Sequence, residues 1–86
     1  MCLSVPSKII QISEHNMATV DSLGVQRQIS LDLMPEPVEE GDYVLIHVGF
    51  AMNKIDESDA LASLQLFQQM MDAEDQLDNT TQVNNA

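Results

Sequence analysis

The apolar positions in the first two thirds of the chain recur with period two. Val25, Arg27, Ile29, Leu31 and Leu33 fall on one face of an extended segment, and Gln26, Gln28, Ser30 and Asp32 fall on the other. That alternation predicts a half-buried strand. Residues 7–12 and 17–23 read as two further strands, separated by the polar turn Ser13-Glu14-His15-Asn16, with Gly24 at the next bend. Residues 34–42 carry Pro35, Pro37 and Gly41; proline has no amide hydrogen to give to a ladder, so this stretch is expected to be a surface loop. Residues 42–52 form the most apolar strand, with Val44, Ile46, Val48 and Phe50 on one face and Tyr43, Leu45 and His47 on the other. It is expected to be the core of the sheet.

The period changes near Ile55. Asp56, Ser58 or Asp59 can cap a helix, and the negative charge of the acids suits the positive end of its dipole. Ala60, Leu64, Phe67 and Met71 then recur at spacings of four, three and four, with Leu61 and Met70 flanking, which makes one apolar stripe on a polar rod. Beyond Asp72 the apolar residues thin out, and a disordered tail is expected. Four or five short strands with tight connections followed by one helix predict an all-β fold, a small closed or partly closed barrel whose curling removes exposed edges. The expected organisation is a barrel over residues 1–55, an amphipathic helix over 56–72 packed on the barrel or offered to a partner, and an acidic, polar tail over 73–86.

With 86 residues and 9.5 kDa, the chain has room for one small domain and little for a deep substrate cavity. Its formal charge is -11, unevenly spread: residues 1–54 hold seven acids and all three bases, a net of -4, and residues 55–86 hold seven acids and no base, a net of -7. Nucleic-acid affinity depends on Lys and Arg displacing counterions from phosphates, so nucleic acid and anionic membrane surfaces are not expected partners. A basic surface on a protein partner is the natural counterpart. The lone cysteine, Cys2, cannot form an intrachain disulfide, and the N-terminus lacks the basic start and apolar stretch of a secretory signal. The longest apolar run falls short of the ~20 residues needed to cross a bilayer. A cytoplasmic protein is expected.

Cys2 is the first residue of chemical interest. A small residue after the initiator methionine favours removal of Met1, leaving a thiol beside a free α-amine. A terminal ammonium stabilises the thiolate, the soft form that binds thiophilic metals. His47, on the opposite face from Val44 and Ile46, is expected to point outward, where an imidazole can act as ligand, hydrogen-bond donor or proton relay; a solvated surface histidine is the simpler reading. Gly49 permits a bulge or a close backbone approach, and His15 is read as solvated. Met70 and Met71 are read as helix packing or an adaptable contact surface, because no Met-x-Met or Cys-rich spacing accompanies them. Asp56-Glu57-Ser58-Asp59 lacks the glycine turn of a calcium loop. Dinucleotide and phosphate-loop glycine motifs, Cys-x-x-Cys and Gly-x-Ser-x-Gly are all missing, so catalytic turnover is not expected.

The run Met1-Cys2-Leu3-Ser4-Val5-Pro6 together with Gly41-Asp42-Tyr43-Val44-Leu45-Ile46-His47-Val48-Gly49-Phe50-Ala51 resembles the HypC/HupF/HybG family of hydrogenase maturation chaperones. Residues 24–31 and the acidic helix start Ile55-Asp56-Glu57 fit the same pattern, so the resemblance spans Met1 to about Met71. At Ser4 and Ser7 the family often has glycine or another small residue. The resemblance implies an OB-like barrel with a C-terminal helix, acting with the iron-sulfur scaffold protein HypD and then with the large-subunit precursor of a [NiFe]-hydrogenase. Iron is implied as a transient Fe(CN)2CO cargo, with no permanently bound cofactor. Cys2 is implied as its ligand and His47 as a second ligand or orienting group, with partner contacts at Cys2, Leu3, Val5, Pro6, His47, Gly49 and Phe50. Two other readings stand beside this: a metal-free docking module that holds a precursor open, and, from barrel shape alone, an oligonucleotide binder, which three cations and three aromatics make poor.

Overall fold

In the computed structural model, residues 5–85 are described, with side chains through residue 74. Alternating apolar side chains close the chain into a five-stranded barrel ordered β1-β2-β3-β5-β4. The strands are β1 (Ser7–Ser13), β2 (Met17–Ser22), β3 (Val25–Ser30), β4 (Tyr43–His47) and β5 (Phe50–Ile55). All neighbours are antiparallel except β3 and β5, which meet in parallel at Ser30 and Phe50.

Each strand turns one or two apolar residues inward. Ile9, Ala18, Val20, Ile29, Leu31, Val44 and Ala51 form the buried core, and Met34, Val38 and Ile46 pack against it. The alanines on β2 and β5 leave space for the larger Ile and Val side chains, which a barrel this narrow needs to fill its interior. The loop after β3 rejoins the sheet through Gly41 and Asp42: the Gly41 amide donates to the Ile9 carbonyl and the Ile9 amide to the Asp42 carbonyl, both at 2.8 Å. The Asp42 carboxylate accepts from the Glu39 amide at 2.9 Å and pairs with Lys54 at 3.4 Å, a half-exposed ion pair of small energetic weight.

Two elements differ from their sequence patterns. The expected strand over 25–33 ends at Ser30, and only Ile29 and Leu31 of its apolar face are buried; Val25 and Leu33 are exposed. The expected strand over 42–52 is a hairpin, β4 and β5 joined by Val48 and Gly49, whose φ angles are 53° and 83°. Positive φ at both central residues is the pattern of a type I′ turn, whose twist matches that of the strands. The apolar run concealed this turn because valine stands where Asn or Asp usually announces it.

The helix α1 (Glu57–Asn85) begins where the acids suggested: the Ala60 amide donates to the Asp56 carbonyl at 2.9 Å, and Glu57 and Asp59 occupy the first turn. It extends past the expected end near Asp72, and no glycine after Gly49 and no proline after Pro37 is available to stop it. A helix of this length measures about 43 Å, which accounts for most of the 51 Å long axis of the molecule. Ala60 is buried and Leu64 and Phe67 are half-buried, whereas Leu61, Leu66, Met70 and Met71 are exposed.

Ser7 is fully buried at the start of β1, and its hydroxyl has no hydrogen-bond partner among the described residues. A buried unpaired hydroxyl carries a desolvation penalty of about 1–3 kcal/mol. Ser7→Ala is therefore expected to raise stability by about 1 kcal/mol, seen as a higher denaturant midpoint at unchanged slope; a lower midpoint would show that the hydroxyl has a partner.

Candidate functional site

The β4–β5 hairpin places His47, Val48, Gly49 and Phe50 at one tip of the barrel. His47 and Phe50 are the closing pair of its ladder. Phe50 also bridges to Ser30, whose amide donates to the Gly49 carbonyl at 2.9 Å. The turn is thus held by its own hairpin and by the end of β3. A Cβ added to Gly49 would meet nothing within 4 Å; glycine is needed there for its backbone angle and not for space. The His47 side chain is exposed, and no hydrogen bond holds its imidazole among the described residues. It is accessible from solvent, as the alternation predicted, but it ends β4 instead of lying mid-strand.

At the start of β1, Ser7 pairs with Val44 and Lys8 with Tyr43, antiparallel. Pro6 is buried, and its carbonyl accepts a hydrogen bond from Ser22 Oγ at 3.1 Å; Val5 is half-buried. Cys2 and Leu3 lie outside the described residues. Three residues of chain span at most ~10 Å, which tethers Cys2 within that distance of Val5.

Among the described residues, no three His, Cys, Asp or Glu side chains converge to hold a metal ion. Any ion bound at this tip therefore has to draw on Cys2, a partner, or ligands the ion brings with it. His47, Gly49 and Phe50 come together on one turn; Val5 and Pro6 immediately precede β1. His15, in the short 3-10 turn after β1, is exposed, as expected.

Two features escaped the sequence pattern. Val48 has left-handed backbone geometry and is 80% exposed, more than any other large apolar side chain in the described part. A β-branched residue in that region costs about 1–2 kcal/mol, and no alternation rule marks it. The second is a groove of about 430 Å³ between the end of β1 and the loop after β3, lined by Ile12, Leu31, Met34, Pro35 and Val38 among others. The prolines marked a loop, but the space beneath it arises from its return path.

The chain is similar to proteins of known name. It is 49% identical over 79 residues to the hydrogenase maturation factor HypC of Helicobacter hepaticus, covering 92% of each chain. It is 41% identical over 70 residues to HypC of Cupriavidus necator, covering 81% of this chain and 77% of that one. It is 40% identical over 75 residues to the hydrogenase maturation factor HybG of Escherichia coli, covering 81% of this chain and 92% of that one. The HupF/HypC family model matches residues 1–67, which include the entire barrel, the tip bearing His47 and the segment bearing Cys2; the chain belongs to the HupF/HypC family.

Proposed function

We propose that this chain is a non-enzymatic, cytoplasmic carrier in [NiFe]-hydrogenase maturation. It holds an Fe(CN)2CO group together with the HypD scaffold and conveys it to the large-subunit precursor. The observation that supports this reading is the exposed His47 at the tip of the β4–β5 hairpin, within the residues that the family model matches. The maturation-factor names of the relatives support the same reading.

The chemistry suits a temporary hold. A thiolate is a soft donor, matched to low-spin iron that already carries strong-field cyanide and carbonyl ligands. One protein sulfur leaves the group transferable, where four would retain it. In this scheme Cys2 supplies the sulfur after Met1 is removed, the scaffold supplies a second, and His47 orients or protonates the ligands of the iron. Leu3, Val5, Pro6, Gly49 and Phe50 provide the partner contacts around them.

A metal-free docking module is the second reading, favoured by the exposed Leu61, Leu66, Met70 and Met71 on a helix in a segment with no basic residue. Cys2→Ala separates the two. Under the carrier reading the variant still co-purifies with the scaffold, but the complex contains no iron and hydrogenase activity is lost. Iron content and activity at wild-type level would instead establish docking alone.

His47→Ala is expected to reduce hydrogenase maturation while changing stability by less than about 0.5 kcal/mol, as for other exposed positions away from packing contacts. Thermal melts run alongside the maturation assay check this; an unfolded variant would assign His47 a structural role.

A further inference from the structure

The groove between the end of β1 and the loop after β3 is built without any residue of the β4–β5 hairpin. Its volume is about 430 Å³, and Ile12, Leu31, Met34, Pro35, Pro37 and Val38 give it an apolar lining, with Asn16 and Glu36 as its polar members. A cavity of about 150 Å³ already accepts a benzene-sized group, so this one has room for one or two aliphatic side chains. The chain holds its walls by its own bonds. The Leu31 amide donates to the Asn16 carbonyl at 2.8 Å, Asn16 Nδ2 donates to the Asp32 carboxylate at 3.1 Å, and the Met34 amide donates to the Leu31 carbonyl at 3.1 Å. Met34 and Val38 pack against the core, Gly41 ties the far end of the loop to Ile9, and Pro35 and Pro37 fix their own φ angles in between. An occupant meets walls that are already formed, which lowers the ordering cost of docking.

Charge decides which occupant suits the groove. The two segments that build it, residues 12–16 and 31–40, carry Glu14, Asp32, Glu36, Glu39 and Glu40 and no Lys or Arg, and all five acids are exposed. The cations of the chain stand on the strands: Lys8 in β1, Arg27 in β3 and Lys54 in β5, the last paired with Asp42 at 3.4 Å. An apolar floor inside an acidic rim rejects anionic groups and attracts an aliphatic side chain flanked by positive charge. A second copy would bring like charge to that rim, because its exposed Leu66, Met70 and Met71 lie in a segment of seven acids and no base. We infer that the groove docks a short segment of a partner protein in which one or two aliphatic residues are flanked by Lys or Arg. The aliphatic side chain fills the groove, and the flanking cations meet the carboxylates of the rim. This surface is independent of the carrier reading: it involves no iron and neither Cys2 nor His47.

The test is an NMR titration of the full-length, isotopically labelled chain with capped pentapeptides. The probe has a central leucine between two lysines on each side; one control has serine in place of leucine, and another keeps leucine but has serine in place of every lysine. The expected result is amide shift changes concentrated in residues 12–16 and 31–40, with the probe binding roughly tenfold or more tighter than either control. Raising the salt from about 0.05 M to about 0.5 M should weaken that binding severalfold. Glu36→Lys should lower affinity by about threefold or more with the melting temperature unchanged, whereas Glu57→Lys, the same change of charge at the start of α1, should leave affinity near that of the wild type. Equal affinity for the serine control would overturn the inference by reducing it to general attraction toward an acidic chain. Equal affinity for the uncharged control would overturn it by removing the role of the rim. Absence of binding by the probe, shifts centred on α1, or an equal loss for Glu57→Lys would each overturn it as well. So would shifts in the groove residues that appear on raising the protein concentration alone, which would assign the groove to a second copy. None of these outcomes bears on the iron content by which the carrier reading is judged.

Discussion

The barrel depends on the seam between β3 and β5. There the strands run parallel and meet at Ser30 and Phe50, and the Ser30 amide binds the Gly49 carbonyl. The other strand pairs are antiparallel ladders of two or more residue pairs; this one closes the cylinder with few bonds. Closure removes the edges that an open five-stranded sheet would expose, and it encloses seven buried side chains in a space filled by Ile, Val, Leu and Ala. The same bonds fix the β4–β5 turn in space. Fold and site therefore share one set of hydrogen bonds.

That sharing explains why so small a protein can present a defined tip without a deep cavity. The groove beside the loop after β3 is shallow and lies where that loop returns to β1, whereas the hairpin projects into solvent. It leaves His47 accessible to solvent, and among the described residues no three His, Cys, Asp or Glu side chains converge to hold a metal ion.

Charge and helix add a second surface of different character. The segment from Ile55 onward holds seven acids and no base, and α1 leaves Leu66, Met70 and Met71 exposed along it. Two copies of such a helix brought side by side would repel each other through this charge. Methionine, unbranched and polarizable, suits contacts with more than one partner shape.

Much of this was legible in the order of residues alone. Alternation located β1, β2 and most of β3, because an inward-facing position recurs every second residue whatever the strand pairs with. The acids at 56–59 marked the helix start, since capping and the helix dipole act within one turn. The Met-Cys start and the His-Val-Gly-Phe-Ala run identified the family. The hairpin within residues 42–52 was hidden, because valine at the turn continues the apolar pattern and its positive φ has no signature in the sequence. The length of α1 was hidden too, because a polar composition does not by itself stop a helix when no glycine or proline intervenes. That Ser7 is buried, with no hydrogen-bond partner among the described residues, depends on the pairing of Ser7 with Val44. That pairing joins residues far apart in the chain, and it is set by closure of the whole barrel, not by any local preference.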